Sequence, residues 1–309
     1  MYRVILVPLD GSSFSEHALH TAVSLARRGG AALRLVLVYP RLVRPLATPG
    51  AVPYDTQFDT DQLNDRARYM DAVVARVAGE GVSVSGTVVD DPDVAKAISA
   101  EARRSGADLI VLTTHGRGGV SRAWMGSTAD ELVRGSTHPL LLIRPASDVT
   151  PDAMAAQFAH VLIPLDGSEL AEQVLPPALD FVALTGARIT LLRVVKTPET
   201  LMPAEETFWT ASEREFLDRE RLLAQEYLDE MAARLAAGDS RPAAPVETVV
   251  TLAPEPARAI LSWTAAHGAD AVAICTNARG GLERMLVGSV TDKIVRGATM
   301  PTLVVRPTA

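Results

Sequence analysis

The sequence predicts an α/β protein made of two tandem, doubly wound domains. Three observations carry this. The 309-residue chain repeats itself. Within each copy, short apolar runs alternate with longer amphipathic ones. The short runs are apolar almost throughout, as expected for parallel strands covered on both faces.

The repeat is plain on self-comparison. VILVPLDGSSFSEHAL, starting at Val4, matches HVLIPLDGSELAEQVL, starting at His160, and sets Asp10 against Asp166, 156 positions on. SGADLIVLTTHGRGG matches HGADAVAICTNARGG, and Gly126 meets Gly288, 162 positions on. The second copy thus carries about six extra residues, expected around its middle helix. The domains are placed at 1–146 and 158–309, joined by the small, polar ASDVTPDAMAAQ.

In the first copy, Val4 to Leu9 is too short for a helix and rich in branched residues, so it reads as a strand. A helix follows from about Phe14 to Arg28, with Ser13 and Glu16 at capping-box spacing and Gly29-Gly30 as its stop. Leu33 to Tyr39 is the second strand, and the proline-rich Pro40 to Pro53 is loop. Leu63, Ala67, Met70, Val74 and Val77 mark the buried face of the next helix. Val82 to Val89 is the third strand and Val94 to Arg104 a helix closed by Gly106. Leu109 to Thr113 is the fourth strand, Ser127 to Gly135 a helix and Leu140 to Arg144 the fifth strand.

Bulk properties narrow the function. The chain is 48% hydrophobic and 22% charged, enough for packed cores. Its net charge of −7 and pI near 5.4 speak against a nucleic-acid partner. A single cysteine, Cys275, excludes an internal disulfide and suits a reducing, cytoplasmic setting. The start MYRVILVPLDGS does not resemble a signal peptide, and no apolar run reaches the roughly 18–20 residues of a membrane span.

In an open parallel sheet, ligands sit beyond the carboxyl ends of the strands where the strand order reverses. The first strand ends at Pro8-Leu9-Asp10-Gly11 and the fourth at Thr113-Thr114-His115-Gly116. If these strands are neighbours, their loops share one crevice. Gly126-Ser127-Thr128 then opens a helix whose first amides favour an anion. The pattern suits a nucleotide phosphate chain. It suits equally a tight strand-to-helix connection with no ligand, and spacing alone does not decide between them.

Each half resembles a universal stress protein domain, and the whole chain resembles a tandem member of that family. The resemblance rests on VPLDGS, GADLIVLTTHGRGG, MGSTADELVR and PLLLIRP. It implies a five-stranded parallel sheet of order 3-2-1-4-5 in each half, helices on both faces, and a pseudo-dimer in which the two last strands pair. ATP-binding members share a pattern of Gly, two residues, Gly, nine residues, then Gly-Ser/Thr. In the first copy the second glycine is Gly116 and the last pair Gly126-Ser127, while Thr113 replaces the first glycine. In the second copy the positions are Cys275, Ala278 and Gly288-Ser289, and Asn277 replaces His115.

Carried over residue by residue, the resemblance implies an ATP site, with magnesium, in the first copy. Asp10, at the end of Pro8-Leu9, falls by ribose and adenine or a divalent ion. Val38 lines the adenine pocket. Thr113, His115 and Gly116 approach ribose and phosphates, and Gly126, Ser127 and Thr128 hold phosphates. The equivalents in the second copy are Asp166, Val194, Cys275, Asn277, Ala278, Gly288, Ser289 and Val290. Simpler roles stand beside these. Asp10 and Asp166 suit helix caps, Ser127 and Ser289 suit N-caps, and Cys275 suits a small buried residue.

The functional expectation is an ATP-binding stress or regulatory protein whose nucleotide state modulates a protein partner. The alternatives are a partner-binding module with degenerate nucleotide sites and a slow ATP hydrolase. A dinucleotide fingerprint after the first strand, a Walker lysine pattern, a nucleophile elbow and a metal-ligand cluster are all missing. Any enzyme activity is therefore expected to be weak ATP hydrolysis at most, and homodimerisation is compatible with the family.

Overall fold

In this computed structural model the described residues are 1–40, 56–114, 125–144, 158–197, 210–238, 242–276 and 288–307. The expected loop after Tyr39 and the expected linker fall almost wholly outside them. Contacts divide the chain into two compact units, one of Tyr2–Leu132 with Leu142–Ala156, the other of Gln157–Ala309 with Met1 and Val133–Leu141.

The first repeat runs β1 (Val4–Leu9), α1 (Ser13–Gly29), β2 (Ala32–Tyr39), α2 (Thr56–Ala78), β3 (Val84–Asp90), α3 (Val94–Ser105), β4 (Leu109–Thr113), α4 (Ser127–Gly135) and β5 (Leu140–Ile143). Its strand order is β3-β2-β1-β4-β5. β1 pairs in parallel with β2 on one side and β4 on the other. The order therefore reverses at β1, and the ends of β1 and β4 are neighbours. Ile5, Leu6, Leu33, Leu35, Leu109 and Ile110 are buried and form the centre of the core.

The second repeat runs β6 (His160–Pro164), α5 (Glu169–Glu172), α6 (Leu175–Thr185), β7 (Arg188–Lys196), α7 (Ala211–Ala237), β8 (Glu247–Ala253), α8 (Pro256–His267), β9 (Ala271–Cys275), α9 (Ser289–Gly297) and β10 (Thr302–Val305). Its order, β8-β7-β6-β9-β10, is the same 3-2-1-4-5 pattern. Where the first repeat has the single helix α1, the second has α5 and α6. Pro176 and Pro177, in the first turn of α6, bring no backbone N–H to continue the helical ladder from α5. Tyr69, Arg76 and Tyr227, Arg234 fix the offset of the middle helices at 158. Two of the extra residues thus precede α7, and four lie between it and β8.

Three local expectations are corrected. The cap of α1 is Ser12, one residue earlier than expected, and its side chain accepts from the Ser15 amide. Glu16 is instead drawn away to Tyr69 and Arg76 of α2. Ala67 is exposed, and Val73 is buried with Met70 and Val77. The buried stripe is thus shifted round the helix towards Val73, where α2 rests on β3 and β2 together. The third strand begins at Val84 rather than Val82.

Candidate functional site: a cleft at the strand switch of each repeat

The floor of the site is set by the Asp-Gly-Ser turn that ends the first strand of each repeat. Asp10 Oδ1 accepts from the Ser12 amide at 2.9 Å and from its hydroxyl at 2.5 Å. Asp166 does the same with Ser168, at 3.0 and 2.6 Å. Each serine then caps the following helix. The aspartates thus position the capping serines and are not themselves the caps. Gly11 and Gly167 sit at φ 78° and 84°, a left-handed conformation that favours glycine. Both aspartates remain exposed.

The other wall is the return from β4. The Gly126 amide donates to the Thr114 carbonyl at 2.7 Å, and the Asp130 amide donates back to Gly126 at 2.9 Å. The helical ladder of α4 starts with that second bond. The amides of Ser127, Thr128 and Ala129 therefore have no acceptor in a preceding helical turn. In the second repeat the Asp292 amide donates to Gly288 at 2.9 Å, and α9 has no side-chain cap.

In the first repeat these elements enclose a cleft of about 430 Å³, within the range of small-molecule sites. Pro8, Leu9, Asp10, Val38, Thr113, Gly126, Ser127 and Thr128 all line it. Sequence reasoning missed Val36 and Tyr39 on β2, Arg66 on α2, and Val94 and Ile98 on α3, which also line it. These residues are scattered along the chain. The signal that points to them is topological, since the end of β2 and the first turns of α3 flank the switch point of a 3-2-1-4-5 sheet.

The second repeat has the corresponding cleft, but its volume is about 140 Å³. Asp166, Val194, Cys275 and Val290 line it; Gly288 and Ser289 stand at the start of α9. Its walls differ in kind. Ser15, Thr113 and Thr128 are replaced by Ala171, Cys275 and Val290, so three hydroxyls are gone. Leu192 takes the place of Val36, and Thr291 that of Ala129. The Thr291 hydroxyl donates to the Cys275 carbonyl at 2.9 Å, tying α9 to the end of β9. Burial pushes the Cys275 thiol up to about 12, so it stays protonated and unreactive. His115, Gly116, Asn277 and Ala278 lie outside the described residues.

Behind each turn lies a further repeated cluster. The Tyr69 hydroxyl donates to Glu16 at 2.9 Å, and Arg76 pairs with the same carboxylate. Tyr227 and Arg234 meet Glu172 in the same way, at 3.2 and 3.1 Å. Burial, reinforced by the neighbouring carboxylate, holds both tyrosines well above their ordinary range. In the second repeat the Arg193 guanidinium fills the space between the Tyr227 ring, 5.1 Å from its centre, and the face of Gly167. The same position in the first repeat is Leu37.

The sequence profile described as the universal stress protein family matches residues 1–144 and again 157–306. The chain belongs to that family. It is a tandem member, with one universal stress protein domain in each match. A universal stress protein of Mycobacterium tuberculosis is 28% identical over 310 residues, covering 98% of this chain and 96% of its own. One from Mycolicibacterium smegmatis is 29% identical over 308 residues, covering 98% and 97%. Among solved structures, a universal stress protein from Archaeoglobus fulgidus superposes with a TM-score of 0.67 at 17% identity, over 98% of both chains. At that identity the likeness is one of fold. Among the described residues of this universal stress protein, no helix is long and apolar enough to cross a membrane, and no three His, Cys, Asp or Glu side chains cluster as metal ligands.

Proposed function

We propose that the first repeat binds ATP with magnesium, and that nucleotide occupancy changes how the protein meets a protein partner. The observation that carries the reading is the pairing, in one cleft, of an apolar end with an anion-favouring end. Leu9, Val36 and Val38 offer a purine ring a dry surface at the ends of β1 and β2. Gly126, Ser127 and Thr128 offer phosphates the first amides of α4. Asp10, exposed and lining the same cleft, would face a ribose hydroxyl or a magnesium ion held mainly by phosphate oxygens and water. His115 and Gly116 take the ribose and phosphate roles that the family resemblance gives them.

The second cleft is proposed as a weaker or vestigial site, because at about 140 Å³ it is smaller than a nucleotide pocket needs to be. That difference favours a division of labour, with Asp166, Val194 and Ser289 kept for a partial ligand or for partner contacts. Among the described residues of either cleft no side chain is arranged as a base beside a nucleophile, and the proposed activity is binding rather than turnover. Mass spectrometry of nucleotide released from the purified protein, followed by calorimetric titration of ATP with and without magnesium, tests the reading. ATP should be carried or bound, more tightly with magnesium. Absence of binding at millimolar ATP would overturn it.

A further inference from the structure

We infer that Arg66 grips the nucleoside end of the ligand in the first repeat, through a contact that the second repeat lacks. This rests on the nucleotide-binding reading above. Arg66 projects from α2 over Tyr39, the last residue of β2, with its guanidinium carbon 4.2 Å from the ring centre. Both residues line the cleft of about 430 Å³. Nη1 donates to the Gln62 carbonyl at 2.9 Å and to the Gln62 side chain at 2.6 Å. Among the described residues, Nε and Nη2 donate to nothing. The guanidinium is thus held in place by one nitrogen and by the ring beneath it, with donors left over at the cleft. A planar fork fixed in this way loses little freedom when it binds.

The sheet order says which end of a nucleotide it meets. The phosphate-favouring start of α4 follows β4, and Tyr39 ends β2, with β1 between them. Two strand spacings separate the two ends by roughly 9–10 Å. A ligand with its phosphates at Ser127 and Thr128 therefore brings its ribose and base towards Arg66. The groups recognised there are hydrogen-bond acceptors, either ribose oxygens or purine ring nitrogens, and not the phosphates. The second repeat has neither partner of the stack. In the register set by Tyr69 with Tyr227, position 66 corresponds to the buried Ala224, and position 39 corresponds to Val195.

The test is calorimetric titration of the full chain with ATP and with adenosine, comparing the parent protein, Arg66→Ala and Arg66→Lys. Urea unfolding of each variant checks that the fold is kept. Arg66→Ala should weaken ATP and adenosine by the same factor, about tenfold for the loss of one charge-assisted hydrogen bond. Arg66→Lys should recover only part of it, since lysine lacks the planar fork. A loss for ATP that adenosine does not share would mean that Arg66 reads phosphate, and no loss for either would mean that it reads nothing. Either result overturns the inference and leaves nucleotide binding standing. If the parent protein binds neither compound, the nucleotide reading falls and the role of Arg66 with it.

Discussion

The two clefts should differ in affinity, and the structure sets the size of the difference. In the first repeat Thr113 and Thr128 line the cleft, whereas the second has Cys275 and Val290 there. A hydrogen bond contributes about 0.5–1.5 kcal/mol, so losing two costs about 1–3 kcal/mol, or roughly 5- to 150-fold in affinity. The shrinkage from about 430 to about 140 Å³ acts in the same direction, because a nucleotide must push Leu192 and the tethered start of α9 aside to enter. The perturbation that separates the sites is a side chain at the glycine before α4 and before α9. Gly288 lies at φ −55°, so valine there adds bulk without forcing the backbone into the left-handed region. ATP titrations of Gly126→Val and Gly288→Val give the comparison. Gly126→Val should remove the tighter binding event, and Gly288→Val should leave it unchanged. Equal effects, or tight binding that survives Gly126→Val, would refute the reasoning from wall chemistry and volume.

Other outcomes follow from single contacts. Gly167→Ala places a methyl in a left-handed backbone at about 3.0 Å from the Arg193 guanidinium. It should cost about 2 kcal/mol by chemical denaturation, and a change near zero would show that the turn relaxes freely. Glu16→Ala and Glu172→Ala each strip the acceptor from a half-buried tyrosine and the partner from an arginine, and should destabilise by similar amounts, about 1–2 kcal/mol. Strongly unequal losses would show that the two clusters are not equivalent. His160 is buried against Trp263, with Nε2 2.8 Å from the Thr190 hydroxyl, and burial, then the nearby Arg188, holds its pKa below the ordinary value. The folded state thus resists a proton that the unfolded chain accepts, so stability should fall as pH drops below about 6.5. Denaturation midpoints of His160→Gln should slope less between pH 8 and 5 than those of the parent, and identical slopes would assign the dependence to other groups. Cys275 should react with a thiol reagent at pH 8 only as fast as the protein opens, and rapid labelling of the native state would contradict its burial.

Much of the fold was legible because strands and helices obey local rules. β1, β4 and α4 fall where apolar runs and punctuating residues put them. The Asp-Gly-Ser turn was legible as well, since the same short string occurs twice and glycine is suited to its left-handed position. What was not legible came from packing between distant segments. Ser13 and Glu16 have capping-box spacing, but Glu16 has better partners in Tyr69 and Arg76, more than fifty residues away, and the cap moves to Ser12. Ala67 reads as part of the buried face of α2 and is exposed, whereas its neighbour Arg66 packs over Tyr39, a platform nearly thirty residues away that local pattern does not reveal. The difference between the clefts was only half visible. The changes from Gly116 to Ala278 and from His115 to Asn277 stand in the sequence. The exchanges at Val36, Ser15 and Ala129 gain meaning only when the sheet brings those positions together.

The duplicated Asp-Gly-Ser turn has a consequence for how such a molecule can change. When two identical chains assemble around an axis, any substitution strikes both sites at once, and an experiment that spoils one spoils the other. Here the two turns are encoded separately, at Asp10 and Asp166, and are always present in equal number. One copy can keep its side chains while the other drifts, as the exchanges of Thr113 for Cys275 and Leu37 for Arg193 illustrate. Fusion thus turns a symmetry constraint into two independent settings carried permanently on the same polypeptide.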